Sequence, residues 1–377
     1  MVKVLHFVST PAIWNGVMSV IMNYYRHIDR ERVQFDFLCF MPCGQSYEEE
    51  IKRMGGQVFY IPKPGSSIDS LKELRRFFQT HGKEYQVVHN HEVYLSFYLE
   101  PLARHVGISR FIVHSHATRY SDRLASAIRN AILCFPIRFM KCETLACSRE
   151  AGIFLFGNKK IKKGSFYILH NAIEVDNFSF DLCERTKLRK QLKIEDCFVI
   201  GHVGRYMPQK NHSFLIKVFA NLHPDMPNAK LLLIGDGPCK PMIEKQCMEY
   251  GIMENVLFIG NVPDVHKWYS AMDILVLPSI FEGLGNALIE AQANGLACLA
   301  SEQVPIEAKI GNACKFLPLK EGAWMQTILE FAKVNPKRKE KKQKNINESF
   351  LTAHYDINVE SQWLQNYYEN TNSYVHI

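Results

Sequence analysis

Two glutamates eight residues apart bracket a glycine-containing turn that runs into an apolar helix: Pro278-Ser279-Ile280-Phe281-Glu282-Gly283-Leu284-Gly285-Asn286-Ala287-Leu288-Ile289-Glu290-Ala291-Gln292-Ala293-Asn294-Gly295. A turn of this kind aims backbone N–H groups at whatever lies in front of it, and a helix N-terminus favours negative charge. A carboxylate inside the helix can accept hydrogen bonds from a diol. Together these are the parts needed to hold a sugar nucleotide: amides for the diphosphate, one carboxylate for the ribose, the other for the sugar.

Cations complete such a site. The apolar run Phe198–Val203 ends in Gly204-Arg205-Tyr206-Met207-Pro208-Gln209-Lys210-Asn211. Arg205 and Lys210 share one strand-to-helix loop, where they can neutralise a diphosphate and stabilise it as it departs. Cations near a helix start are mildly unfavourable, so this placement argues for function over surface charge. Gly235-Asp236-Gly237-Pro238 reads as a turn with a capping Asp before a Pro-started helix. In Gly260-Asn261-Val262-Pro263-Asp264-Val265, Asp264 reads as an N-cap, and the backbone around Asn261–Val262 can pair with a base edge. Near the N-terminus, Gly16 stands at a first strand-to-helix turn, where phosphate or substrate can approach the backbone.

Two histidine pairs follow apolar runs, His89-Asn90-His91-Glu92 and Val113-His114-Ser115-His116. Such a pair shares one strand face only if the strand continues. No carboxylate or third ligand is spaced to join His114 and His116. The pairs therefore read as hydrogen-bonding, catalytic or structural histidines, and no metal is expected.

The elements that must position these residues are short apolar runs alternating with amphipathic stretches. Strands are expected at Val4–Val8, Gln34–Cys39, Gln57–Ile61, Val87–His89, Phe111–Val113, Thr144–Cys147 and Phe166–Leu169. The pattern restarts with Phe198–Val203, Lys230–Ile234, Val256–Ile259, Ile274–Leu277 and Ala297–Ala300. Alternating strands and helices imply parallel sheets covered on both faces. A fold of two Rossmann-like, doubly wound α/β domains follows, one over residues 1–175 and one over 176–356. A last helix is expected within 357–377, on the spacing of Val359, Trp363, Leu364, Tyr367 and Tyr368. Ligands bind outside the C-terminal edges of such sheets, here in a central cleft that the two domains face.

The chain has 377 residues, enough for two cores, with an ordinary 47% of hydrophobic and 22% of charged residues. Net charge is +7, with basic clusters at Arg129–Lys141, at Lys159, Lys160, Lys162 and Lys163, and at Lys337–Lys344. That balance fits an anionic partner, although the run Lys337–Lys342 reads as solvated surface. The eleven cysteines form no CxxC pair, which argues for a reducing compartment and free thiols. No apolar run reaches the ~18 residues of a membrane span, so a cytoplasmic protein is expected. In Ser121–Lys141, Leu124, Ile128, Ile132 and Leu133 share one helical face flanked by basic residues. This is either a buried helix with a basic rim or a helix resting on an anionic membrane surface.

Taken together, Gly204-Arg205 with Lys210-Asn211, Gly235-Asp236-Gly237-Pro238, and Pro278-Ser279 with Glu282-Gly283 and Glu290-Ala291 resemble the retaining glycosyltransferases of family four, which have the GT-B fold. The likeness is strongest from Gly201 to Glu307 and looser over the N-terminal half. It implies transfer of a hexosyl unit, with retention, from a nucleotide sugar such as a UDP-sugar. The acceptor would be a glycan, lipid-linked if the basic helix meets a membrane, in capsule, exopolysaccharide or lipopolysaccharide synthesis. By resemblance, Arg205 and Lys210 hold the diphosphate, Glu290 the ribose, and Glu282 the donor sugar. The amides of Leu284, Gly285, Asn286 and Ala287 meet phosphate and sugar, and His116 contacts the transferred sugar. No cofactor or metal is required, and no nucleic acid is a partner. Gly285-Asn286 replaces the family's usual apolar pair, which makes it the place where sugar preference is set. A nucleotide-sugar epimerase of the same shape is the alternative, with Glu92 as its candidate acid or base.

Overall fold

The computed structural model describes residues 1–121, 124–158, 166–335, 338 and 343–369. Lys159, Lys160, Lys162, Lys163, Lys337, Lys339, Lys341 and Lys342 of the basic clusters lie outside the described residues. The chain divides into two compact units, Met1–Ile173 with the C-terminal segment from Ile357, and Glu174–Asp356.

The first unit is built on a seven-stranded sheet of β1 (Val2–Phe7), β2 (Val33–Cys39), β3 (Val58–Tyr60), β4 (Val87–Asn90), β5 (Arg110–Ser115), β6 (Glu143–Ala146) and β7 (Tyr167–Ile168). All pairings are parallel, in the order β3-β2-β1-β4-β5-β6-β7. Every residue of β2 is buried, as expected of a strand covered on both faces. Its one carboxylate, Asp36, is satisfied by the Gln57 backbone N–H at 2.8 Å and the Tyr85 hydroxyl at 3.0 Å. The helix Ile357–Glu369 packs beside Gly16–His27, with Leu364, Tyr367 and Tyr368 in the core. Gln365 Oε1 accepts from the Asp29 N–H at 2.9 Å, and Arg110 Nη1 donates to the Tyr368 carbonyl at 2.7 Å.

The second unit repeats the winding with β8 (Phe198–Val203), β9 (Ala229–Ile234), β10 (Val256–Gly260), β11 (Ile274–Leu277), β12 (Ala297–Ser301) and β13 (Cys314–Leu317). The order is β10-β9-β8-β11-β12-β13, again parallel. In each unit the order reverses beside the first strand, so β1 and β4, and β8 and β11, flank a topological switch point where ligands of such sheets bind.

Four local expectations fail for identifiable reasons. β13 was not foreseen, because an exposed Lys315 interrupts its four residues. Asp264 does not cap its helix; its carboxylate meets Lys267 Nζ at 2.9 Å instead. Asp236 accepts from the Gly237 N–H, and the helix starts later, at Lys240. Within the supposedly solvated basic run, Arg338 is half-buried: its guanidinium donates to the Tyr269, Met272 and Asn294 carbonyls, and lies 4.5 Å from the Phe180 ring centroid. Burial pulls that guanidinium down to about 9. No described helix is long and apolar enough to cross a membrane.

Candidate functional site

In the second unit, the loops after β8 and β11 lie side by side at the switch point. The Ile280 N–H donates to the Gln209 carbonyl at 2.9 Å, and Asn211 Nδ2 to the Pro278 carbonyl at 3.1 Å. At the centre of this join, Lys210 Nζ lies 2.6 Å from Glu282 Oε1, with side chains only 18% and 6% exposed. The Ser279 hydroxyl donates to the same oxygen at 2.7 Å, and Gln209 Nε2 to the other at 3.2 Å. Glu282 is thus held by three donors, and Lys210 is aimed by Glu282. Gln209 and Ser279 are positioning residues; in the sequence Ser279 stands in a motif but without a role, and Gln209 is not singled out.

Glu290 lies one helical stretch further on, half-buried in the helix Asn286–Ala293. The Tyr269 hydroxyl donates to its Oε2 at 2.7 Å. Burial raises the Glu290 carboxyl, while the Tyr269 hydrogen bond and the Lys210 charge pull it back. Lys210 therefore feels both glutamates. The helix begins at Gly285, whose φ of 97° is left-handed and which brings no capping side chain. A Cβ there would stand 3.3 Å from both Leu277 Cδ2 and Val304 Cγ1. Asn286 and Ala287 form the half-exposed first turn, whereas the Leu284 side chain is buried and only its backbone can face a ligand.

Arg205 is exposed on the β8 loop, and Val262 half-exposed beyond β10. Gly235 and Gly237 serve the loop architecture. A Cβ on Gly235 would lie 2.3 Å from the Gly204 carbonyl oxygen, and one on Gly237 2.6 Å from that of Tyr206. Their close approach is to the Arg205 loop, which they support from behind.

In the first unit, Gly16 opens the helix Gly16–His27, but Asn15 Oδ1 already accepts from the Val17 and Met18 N–H groups. Two of the amides an anion would use there are engaged by the protein's own cap. Glu92 is likewise engaged, accepting from the Ser9 N–H at 2.9 Å.

The histidines form a larger group than their spacing suggested. His6 stands opposite His89 in the β1–β4 register, and Asn90 opposite Val113 between β4 and β5. Continuing that register sets His91 beside His114, and strand alternation then puts His6, His89, His91, His114 and His116 on one face. The expectation that His114 and His116 lack a third partner fails because that partner, His91, comes from a neighbouring strand. The contacts run from His6 Nδ1 to His91 Nε2 at 3.0 Å and from His91 Nδ1 to His116 Nε2 at 2.8 Å. A second line runs from the Tyr368 hydroxyl to His89 Nδ1 at 2.6 Å, and from His89 Nε2 to His114 Nδ1 at 3.2 Å. Burial pulls His6 and His116 down to about 3, and His89, His91 and His114 also lie well below the usual range. All five are neutral imidazoles at neutral pH.

The helix Leu124–Cys134 does not bury its apolar face. Leu124 is 78%, Ile128 54% and Ile132 68% exposed, and Phe135 and Phe139 beyond it are exposed as well. The buried-helix reading of Ser121–Lys141 therefore fails.

The sequence profile of the glycosyl transferases group 1 family matches residues 184–315. Over 334 residues the chain is 32% identical to EpsF of Bacillus subtilis (strain 168), a provisionally named glycosyltransferase, covering 86% of each protein. It is 20% identical over 312 residues to the UDP-Gal:alpha-D-GlcNAc-diphosphoundecaprenol alpha-1,3-galactosyltransferase of Escherichia coli, covering 80% of this chain and 79% of that one. Its fold is similar to that of Anabaena Alr3699/HepE, crystallised in complex with UDP and glucose, with a TM-score of 0.79 at 16% identity over 98% of this chain and all of the other. The chain belongs to the group 1 glycosyltransferases, the family-four enzymes of GT-B fold, and is a glycosyltransferase.

Proposed function

We propose that this glycosyltransferase moves a hexosyl unit, with retention of anomeric configuration, from a UDP-sugar to a lipid-linked glycan in the assembly of a cell-surface polysaccharide. The observation that carries the donor half is the Lys210–Glu282 pair at the switch point of the second sheet, 2.6 Å apart, with Glu290 and the Gly285 helix start alongside. In this reading the bound diphosphate sits before the first turn of Asn286–Ala293, and Lys210 shares its protons between Glu282 and phosphate oxygens. As the glycosidic bond lengthens, charge grows on the leaving diphosphate and Lys210, Arg205 and the helix amides stabilise it. Lys210 and the helix amides are held in place before the reaction, so they need little reorganisation when charge develops. Glu290, steadied by Tyr269, accepts from the ribose hydroxyls. Side-chain cations meet the diphosphate charge, and transfer needs no metal at that group.

His116 stands at the C-terminal edge of the first sheet. His91 engages its Nε2, so Nδ1 is the nitrogen that meets a hydroxyl of the transferred sugar. Attack comes from the leaving-group face, with a phosphate oxygen taking the acceptor proton. The acceptor half of the proposal is supported by the exposed Leu124, Ile128, Ile132, Phe135 and Phe139, a surface that fits the cytoplasmic face of an anionic membrane. It is also supported by the Escherichia coli relative, whose name states a diphosphoundecaprenol acceptor.

The test is transfer itself. The chain is incubated with a panel of nucleotide sugars, with and without a polyprenyl-diphosphate-linked sugar, and the product linkage is read by NMR. UDP release that depends on acceptor, with an α-linked product from an α-linked donor, is expected. Release independent of acceptor, or an inverted product, overturns the corresponding half.

A further inference from the structure

Of the five clustered histidines, sugar transfer as proposed uses only His116. The arrangement of all five is that of a three-residue ligand set with its support. His91, His114 and His116 each offer a nitrogen, the three lying within 4.8 Å of one another. His91 Nδ1 and His116 Nε2 are 2.8 Å apart, and the His114 ring lies 3.9 Å from that of His116, centroid to centroid. His114 Nε2 is buried and has no hydrogen-bond partner. The remaining nitrogens of the two inner rings are held from behind. His6 Nδ1 meets His91 Nε2 at 3.0 Å, and His89 Nε2 meets His114 Nδ1 at 3.2 Å, with Tyr368 backing His89.

Ligating histidines characteristically have their second nitrogen fixed in this way, which sets tautomer and ring direction. Zinc at about 2.0–2.1 Å from each nitrogen requires ligand nitrogens roughly 3.3 Å apart, so the hydrogen-bonded His91–His116 pair, now 2.8 Å apart, opens by about half an ångström to take the ion. The rings border a cavity of about 10 Å³, room for one water or one ion. Of the three histidines, only His116 is partly exposed.

We infer that His91, His114 and His116 form a transition-metal site, zinc being the ion that three neutral imidazoles and an open fourth position suit best. The fourth ligand is a water or hydroxide, which also supplies negative charge that the ring of histidines lacks. The ion pins β4 and β5 at the C-terminal edge of the first sheet and holds His116 in one orientation. The inference concerns the first unit alone and does not depend on the donor-site reading.

The test uses the full-length chain without an affinity tag, stripped with a chelator and titrated with Co²⁺ and then Zn²⁺. One equivalent of Co²⁺ per chain, with the visible absorption of a four- or five-coordinate ion that Zn²⁺ displaces, is expected. His114→Asn should weaken binding at least about a hundredfold, and His91→Asn likewise, while the exposed His105→Asn should bind as the parent does. Circular dichroism checks the fold of each variant. If His91→Asn fails to fold, His114→Gln takes its place. An unaltered chain that binds no stoichiometric ion overturns the inference, as does a folded His114 variant that binds as tightly as the parent.

Discussion

Replacing Lys210 by methionine separates two roles that one ammonium fills. Methionine keeps the stem that packs by Gly204, where a Cβ would lie 3.2 Å from Lys210 Cδ. What is lost is the charge 2.6 Å from a carboxylate only 6% exposed. Breaking a buried pair costs about 3–5 kcal/mol when the remaining charge is left alone. Here Ser279 and Gln209 still donate to Glu282, so about 2 kcal/mol of stability is the expected loss. In a unit of this size that lowers Tm by about 4–8 °C. The catalytic effect is larger. Losing one preorganised donor to the leaving group costs about 10²–10³ in kcat. The double variant Lys210→Met/Glu282→Gln removes the stranded charge, so most of the stability should return while the rate stays low. Differential scanning calorimetry and a coupled assay for released nucleoside diphosphate read the two effects. A single variant within about tenfold of the parent rate would refute the leaving-group role. A double variant no more stable than the single one would refute the buried-pair argument.

Other perturbations probe the surroundings. Tyr269→Phe removes the hydroxyl 2.7 Å from Glu290 and should weaken nucleotide binding about tenfold, measured by calorimetry, with little change in Tm. Gly285→Ala forces a left-handed φ and a 3.3 Å contact with Leu277 and Val304; thermal melts should show a loss of about 1–2 kcal/mol. His212 is held down to about 2 and His202 to about 4, both chiefly by burial. Each unfolded imidazole takes up a proton near pH 6.5 that the folded one refuses. Their stabilisation is therefore complete above pH 6.5 and declines as pH falls below it towards those lower values. Between pH 7 and 5.5 each such histidine costs about 1 kcal/mol, so urea melts of His212→Leu should lose about that much less than the parent over the same interval.

The sheets were legible because their strands are short, nearly unbroken apolar runs, such as Leu231–Ile234 and Ile274–Leu277, each followed by a loop rich in glycine or charge. Lys210 and Glu282 were legible as residue types in the right kind of loop. Their pairing was not, since 72 positions separate them and only the neighbouring of β8 and β11 joins them. Tyr269 is one more buried aromatic until the fold turns its hydroxyl onto Glu290. The histidine cluster failed for the same reason: spacing within one strand is visible, but the register that sets His91 beside His114 belongs to two. Arg338 sits among lysines that suggest solvent, while the backbone carbonyls it binds lie more than forty positions away.

The central claim is that the loops after β8 and β11 form the donor diphosphate site, and titration of UDP tests it most directly. The parent chain should bind UDP with a micromolar Kd, the range in which about 8 kcal/mol of binding free energy falls. Lys210→Met and Glu290→Ala should each weaken that binding at least tenfold while remaining folded by circular dichroism. Parent-like UDP affinity in both folded variants, or no UDP binding by the parent, would contradict the account.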